Sequence, residues 1–224
     1  MSKADAGSRW VEIAETLARK MPAEWVLAGP GQRAVLVRRP IGWTVPFIAV
    51  GQTSYGEGRL FAARMSLLEP YTGWKVTFGI SVQDTPLYRP KLVITEPAAA
   101  DRVERFVMDH GLAAVDAFPE PRMVEVCAGL QPPIDLTSSP YWAMAPGWAV
   151  ITGQGSPVPS ATAFVEFWTS RDPDNPHMVF YRDLIAQWEA GGGDAALAHL
   201  QRNREKIMTS QKLPDADRSP APWT

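Results

Sequence analysis

The sequence lacks several features that would narrow its function at once. Its 224 residues include one cysteine, Cys127, which excludes an internal disulfide and a zinc site built from several cysteines. The formal charge is −2, from 22 basic and 24 acidic residues, so no strong field attracts a polyanion. No apolar run reaches the roughly 18 residues of a membrane span, and no signal-peptide pattern is present. We therefore expect a cytoplasmic protein that binds neither membrane nor nucleic acid.

Signature motifs of catalysis and cofactor binding are also missing. The chain contains no GxSxG, HExxH or CxxC pattern, so the usual nucleophile elbow and zinc sites are not indicated. The glycine-rich segment 51–59, GQTSYGEGR, fits neither phosphate-binding spacing, and its strand-like flanks favour a hairpin loop. We expect no cofactor, no metal and no catalytic residue, so the sequence favours a protein that is not an enzyme.

The first half of the chain combines an amphipathic helix with short strand-like segments. Trp10, Ile13 and Leu17 repeat at helical spacing and predict a helix over 8–21, which ends before Pro22. Short apolar segments separated by turn residues then predict strands at 24–29, 33–39, 43–53, 58–68, 74–82 and 91–95. Short sequential strands linked by turns favour an antiparallel meander over a parallel sheet.

The second half is predicted to be mostly helical. A middle helix over 98–110 would end at Gly111, and further helices are expected over 160–169, 178–190 and 194–211, with a break at the glycines 191–193. Two further strands are predicted at 122–130 and 147–153, on either side of a proline-rich connection. The fold class is thus α+β, with a sheet of about six strands covered by an N-terminal helix, a middle helix and a C-terminal helical group.

Domain organisation follows from length and composition. The length fits one domain, which we place over 1–211, with an internal joint near 119–121 as the alternative because AFPEPR resembles a linker. The polar and proline-rich end, 212–224, is predicted to be a flexible tail.

Tryptophan is unusually frequent, with nine in the chain. Most lie at regular helix or strand positions, where core packing explains them. Tyr141, Trp142 and Trp148 instead lie in or beside the proline-rich connection, where aromatic side chains in loops often meet a partner. Together with the acidic Asp172 and Asp174, they form the predicted binding surface, which would suit a protein with a basic surface.

The densest polar segment is EFWTSRDPDNPHMVFYRD, residues 166–183. Glu166, Asp172, Asp174 and His177 could converge into an acid–base or metal site. The alternative is a helix–helix turn in which Asp174 or Asn175 caps the second helix and Pro176 occupies its first position. The capping rules favour the turn.

Three functions remain open from the sequence. The order helix, strand meander, helices is similar in layout to small bacterial accessory proteins, including immunity proteins that neutralise toxins. This layout and the missing motifs favour a non-catalytic protein-binding module, as an immunity-type inhibitor or accessory factor. The alternatives are a small-molecule or hydrolytic enzyme with an acidic and histidine site around 166–177, and a structural or assembly subunit.

Overall fold

A computed structural model describes residues 3–52, 58–71, 73–89, 91–130, 141–169, 171–172 and 174–217. The chain divides into two compact units. Unit 1 comprises Met1–Met65, Trp74–Phe118 and Gln211–Asp217, and unit 2 comprises Ser66–Gly73, Pro119–Ser210 and Arg218–Thr224. Residues 53–57 of the predicted glycine-rich loop, 51–59, and most of the proline-rich connection, 131–140, lie outside the described residues.

The sheet of unit 1 confirms the α+β class. Its strands pair in chain order, β1-β2-β3-β4-β5, and the recorded pairs are antiparallel. Their bounds are β1 Trp25–Ala28, β2 Val35–Arg38, β3 Thr44–Gln52, β4 Gly58–Ser66 and β5 Phe78–Ser81. Among the described residues the sheet therefore has five strands instead of the six expected.

The segment 91–95 was predicted to be a strand and is not one. Within it only Val93 forms an isolated bridge, followed by turns, while Leu92 and Ile94 are buried in the core of unit 1. An alternating apolar pattern indicates that one side of a segment is buried. The pattern does not show that another strand lies beside the segment to pair with it. Here the alternating apolar residues belong to a turn that packs on the core.

Unit 1 also contains the helices α1 Lys3–Ala18, α2 Ala99–Phe106 and α3 Leu112–Asp116. A π-helical turn, Val107–Gly111, lies between α2 and α3. Gly111 was predicted to end the middle helix, but the helix continues through it. A Cβ at Gly111 would lie 3.0 Å from the Cβ of Ala62 in β4. The glycine therefore allows close packing of the helix on the sheet instead of ending the helix.

The core of unit 1 lies where α1 and α2 meet the sheet. Trp10, Ile13 and Leu17 of α1 pack with Leu36 and Ile48 of the sheet, all at most 4% exposed. The indole Nε1 of Trp10 donates to the carbonyl of Ala34 over 2.7 Å, which satisfies a donor that burial would otherwise leave unpaired. The apolar residues at helical spacing thus form the buried side of α1, as the sequence predicts.

The regular secondary structure in the described part of unit 2 is helical, apart from Ser66 at the end of β4. Its helices are α4 Glu120–Ala128, α5 Tyr141–Thr152, α6 Val158–Thr169 and α7 Pro176–Ser210. Gly191 and Gly192 have non-helical dihedral angles and kink α7, as the glycine triplet predicted. Along the described ranges of both units, no helix is both long and apolar enough to cross a membrane.

The strands predicted at 122–130 and 147–153 are wrong, because both segments are helical. α5 is buried on nearly all sides, from Trp142 to Trp148, so it has no polar face to reveal a helical period. A short apolar run of this kind cannot be assigned to a strand or a helix from periodicity alone. Pro146 lies inside this helix, whereas the sequence had placed it in the irregular proline-rich connection, because proline removes a helical donor.

Residues 212–217, predicted as part of a tail, belong to unit 1. Leu213 is 2% exposed and Asp217 is 6% exposed. The guanidinium of Arg39 donates through Nε to Asp217 Oδ2 over 2.6 Å, and this contact raises the pKa of Arg39. Only 218–224 lie outside the described residues at this end of the chain.

Candidate functional site

The four polar residues predicted around 166–177 do not converge. Glu166 on α6 and Asp172 and Asp174 on the turn before α7 are exposed, whereas His177 is mostly buried. Among the residues that the structure describes, no group of three or more His, Cys, Asp or Glu side chains could hold a metal ion. These residues therefore do not form the predicted ligand set.

The capped-turn interpretation of this segment is confirmed. Asn175 Oδ1 accepts a hydrogen bond of 3.0 Å from the backbone N–H of His177, and Pro176 is the first residue of α7. An asparagine cap followed by proline satisfies one free amide of the first turn and presets its backbone angle. The cap also fixes the point at which the His177 side chain leaves the helix.

The structure brings His177 to a partner that sequence reasoning missed. Its Nδ1 lies 3.5 Å from Oε2 of Glu69, whose side chain is 1% exposed, while His177 is 18% exposed. Fully buried glutamate is rare unless it is paired. The only signal in the sequence was a carboxylate inside the apolar run LLEPY, residues 67–71. The partner histidine is far away along the chain, so no local pattern links the two.

Aromatic side chains surround this Glu69–His177 pair. The ring of Tyr71 lies edge-on to the His177 ring at 5.4 Å between centroids, and Phe164 lies 6.1 Å from it. Burial raises the pKa of the Tyr71 phenol, and the charge of Glu69 raises it further. The pKa of Tyr181 is raised by the same two causes, and its hydroxyl donates to the carbonyl of Ala143. Both phenols therefore stay neutral at physiological pH.

A carboxylate beside a histidine can hold the imidazole in one tautomer and stabilise its protonated form. The histidine of such a pair can act as a general base only if its other ring nitrogen reaches a substrate. A groove of about 540 Å³ in unit 2 lies next to the pair, but it is lined by the neighbouring Pro70 and Pro176 instead of by Glu69 or His177. The pair is therefore placed to hold α7 against the segment Ser66–Gly73.

The aromatic part of the predicted binding surface lies mainly inside unit 2. Trp142 is 8% exposed and Trp148 is 1% exposed, and Tyr141 is half-buried. Cys127, on the neighbouring α4, has its thiol 3.5 Å from the carbonyl of Tyr141, and burial raises its pKa to about 12. The exposed side chains of the predicted surface are therefore Asp172 and Asp174, with Tyr141 partly accessible.

A second site, in unit 1, was not predicted from the sequence. It is a groove of about 540 Å³ on the sheet, lined in part by residues of β2, β3 and β4, which we call the sheet groove. Its lining is mainly apolar and consists of Arg33, Ala34, Val35, Phe47, Ala49, Val50, Gly51, Phe61, Trp74 and Val76. Volumes of about 300–1,000 Å³ with mostly apolar linings are typical of ligand sites.

Aromatic rings shape the floor of the sheet groove. The rings of Phe47 and Trp74 pack tilted, with centroids 4.9 Å apart. A Cβ on Gly51 would lie 3.1 Å from a ring carbon of Phe61, so the glycine leaves room for that ring. Val76 is 39% exposed, which few large apolar side chains among the described residues are. The groove thus presents apolar area that nothing among the described residues covers.

Comparison with protein-family models, with curated proteins and with solved structures finds no match for this chain.

Proposed function

We propose that the protein is a non-catalytic, cytoplasmic binding module that takes an apolar segment of another protein into the sheet groove. The observation that carries the proposal is the groove itself, with its aromatic floor and the exposed Val76 at its wall. Contiguous concave apolar surface on a soluble unit is typical of an interaction site. The missing catalytic motifs agree with binding as the activity.

Binding would depend on a side chain of the partner that fills the groove. A leucine or aromatic side chain that becomes buried there contributes about 1.5–3 kcal/mol. Aromatic anchors in well-packed pockets supply much of the energy of protein interfaces. Phe47 is 1% exposed and packs against the half-buried Trp74, so Trp74 supplies the accessible surface of the floor and Phe47 supports its ring.

A charged substitution in the groove tests this function. Val76→Asp places a carboxylate in the groove, and Val179→Asp places the same change at an exposed valine of unit 2, which is 55% exposed. A random peptide library displayed on phage is selected on the wild-type protein, and the recovered peptides are assayed on both variants. We expect binding to persist on Val179→Asp and to fall on Val76→Asp.

Two outcomes of this selection would contradict the proposal. One is that no peptide is enriched over immobilised carrier protein. The other is that the enriched peptides bind Val76→Asp as well as wild type, which would place their site elsewhere. Thermal unfolding of both variants checks that a loss of binding is not a loss of folding.

Asp172 and Asp174 support a second contact of the same module. Both are exposed on the turn before α7, and acidic surfaces favour partners with basic ones. Replacement of both by asparagine should slow association with such a partner and reduce its salt dependence. An unchanged association rate would remove this part of the proposal.

One observation favours an enzyme as the alternative. The Glu69–His177 pair has the composition of a base and its orienting carboxylate. If the protein hydrolyses a substrate, His177→Gln should abolish turnover while leaving the fold intact. Activity that survives in His177→Gln would exclude this pair as the catalytic base.

A further inference from the structure

Among the described residues, the side chains that line the sheet groove offer hydrogen-bond donors and no acceptors. Arg33 and Trp74 are the polar side chains of this described lining, and the others are apolar. Guanidinium and indole groups donate and do not accept. The indole Nε1 of Trp74 is buried and has no acceptor among the described residues. The donor open to a ligand is therefore the exposed guanidinium of Arg33, which favours a ligand that carries acceptor atoms.

Positive charge lies at the rim of the same groove. Arg33 is exposed at the end of the turn Gly31–Arg33. Arg59 stands opposite Gly51, because a Cβ on Gly51 would lie 3.9 Å from the Cβ of Arg59. The part of the lining that the structure describes contains no aspartate or glutamate. A cationic rim around an apolar floor attracts an anion and repels a basic segment.

We propose, on the basis of the proposed function, that the sheet groove recognises a peptide segment in which a carboxylate neighbours a large apolar side chain. The apolar side chain lies on the floor formed by Phe47 and Trp74, and the carboxylate pairs with Arg33 at the rim. Arginine suits this role because its planar donors can contact both carboxylate oxygens. The carboxylate is that of an aspartate, a glutamate or the end of a chain.

A peptide fits the groove better than a fatty acid, although both combine a carboxylate with apolar carbon. Sites for small molecules typically bury about 70–90% of the ligand surface. Here Val76 and Arg33 stand open to solvent, so one side of a long acyl chain would remain in water. A peptide buries one or two side chains and leaves its backbone solvated.

The experiment uses the peptides enriched on the wild-type protein. Each is synthesised in two forms, with its acidic residue or with the matching amide, and both are titrated by calorimetry. We expect the amide form to bind about two- to fivefold more weakly, since exposed ion pairs contribute modestly. This difference should disappear in Arg33→Gln and persist in Arg202→Gln, a matched change at an exposed arginine of unit 2. High salt should reduce it.

The outcomes separate this inference from the proposed function. Peptides that need an intact groove but carry no acidic residue, or bind equally as amides, would overturn the inference and leave the function standing. Absence of any groove-dependent peptide would overturn both. Decanoate is titrated in parallel, and binding of decanoate without any peptide binding would identify a lipid ligand and also overturn the inference.

Discussion

Gly79 provides the sharpest test of the sheet that carries the groove. It lies in β5 with φ +149°, a conformation that other residues rarely adopt, and pairs with Ala63 of β4. A Cβ there would lie 2.2 Å from the carbonyl oxygen of Ala62 and 2.5 Å from the Cα of Ala63. These are backbone atoms, so neither can rotate away. In Gly79→Ala either β5 moves off β4 or its pairing breaks.

The size of the effect follows from two costs. A residue held in a sparsely populated backbone region costs about 1–3 kcal/mol. Insertion of a methyl group into a packed site costs about 1–3 kcal/mol. We therefore expect Gly79→Ala to lower the free energy of unfolding by about 2–6 kcal/mol, a large part of the about 5–15 kcal/mol of a typical domain.

Gly31→Ala is the matched control for Gly79→Ala. Gly31 also has a positive φ, +48°, but nothing lies within 4 Å of its Cβ position. It should cost only about 1–2 kcal/mol of backbone strain. Urea unfolding measures the free energies, and amide hydrogen exchange across β5, Phe78–Ser81, reports its pairing with β4. If both variants lose the same stability, or if no β5 amide exchanges faster in Gly79→Ala, the close approach of the strands is refuted.

Three further predictions concern unit 2. Because burial raises the pKa of Cys127 to about 12, iodoacetamide at pH 8 should label the folded protein far more slowly than the protein in urea; equal rates would contradict that burial. Tyr181→Phe removes the hydroxyl that donates to Ala143 and should lower the free energy of unfolding by about 1–3 kcal/mol, measured in urea. Burial lowers the pKa of His199, so the unfolded state binds its proton more readily; stability should fall as pH drops below about 6.5, and His199→Gln should reduce that fall in urea titrations at several pH values.

The parts of the fold that could be predicted are those in which one side of an element faces water. The α1 stripe of Trp10 and Leu17 has a polar opposite side, so its period is visible in the sequence. α5 has no such side, because it is buried almost completely. Gly111 illustrates another limit. A glycine that ends a helix cannot be distinguished in the sequence from one that lets a helix pack closely on a strand.

Site prediction was limited in the same way by contacts between distant segments. The cap at Asn175 and Pro176 was predictable because it is a local arrangement of four residues. The Glu69 contact of His177 depends on how α7 packs on Ser66–Gly73, which no spacing reveals. The sheet groove was missed for a related reason: Phe47, Phe61 and Trp74 come from three segments and form one surface only after the sheet has paired.

The segment Gln211–Asp217 has a consequence for biosynthesis. Unit 1 includes this segment, yet the ribosome makes it only after the whole of Pro119–Ser210. While the chain is still growing, Arg39 has left the ribosome and Asp217 does not yet exist. Domains tend to fold as their chain emerges, from the N-terminus onward. Of the two units, unit 1 is therefore started first, but it is completed only after all of Pro119–Ser210 has been made.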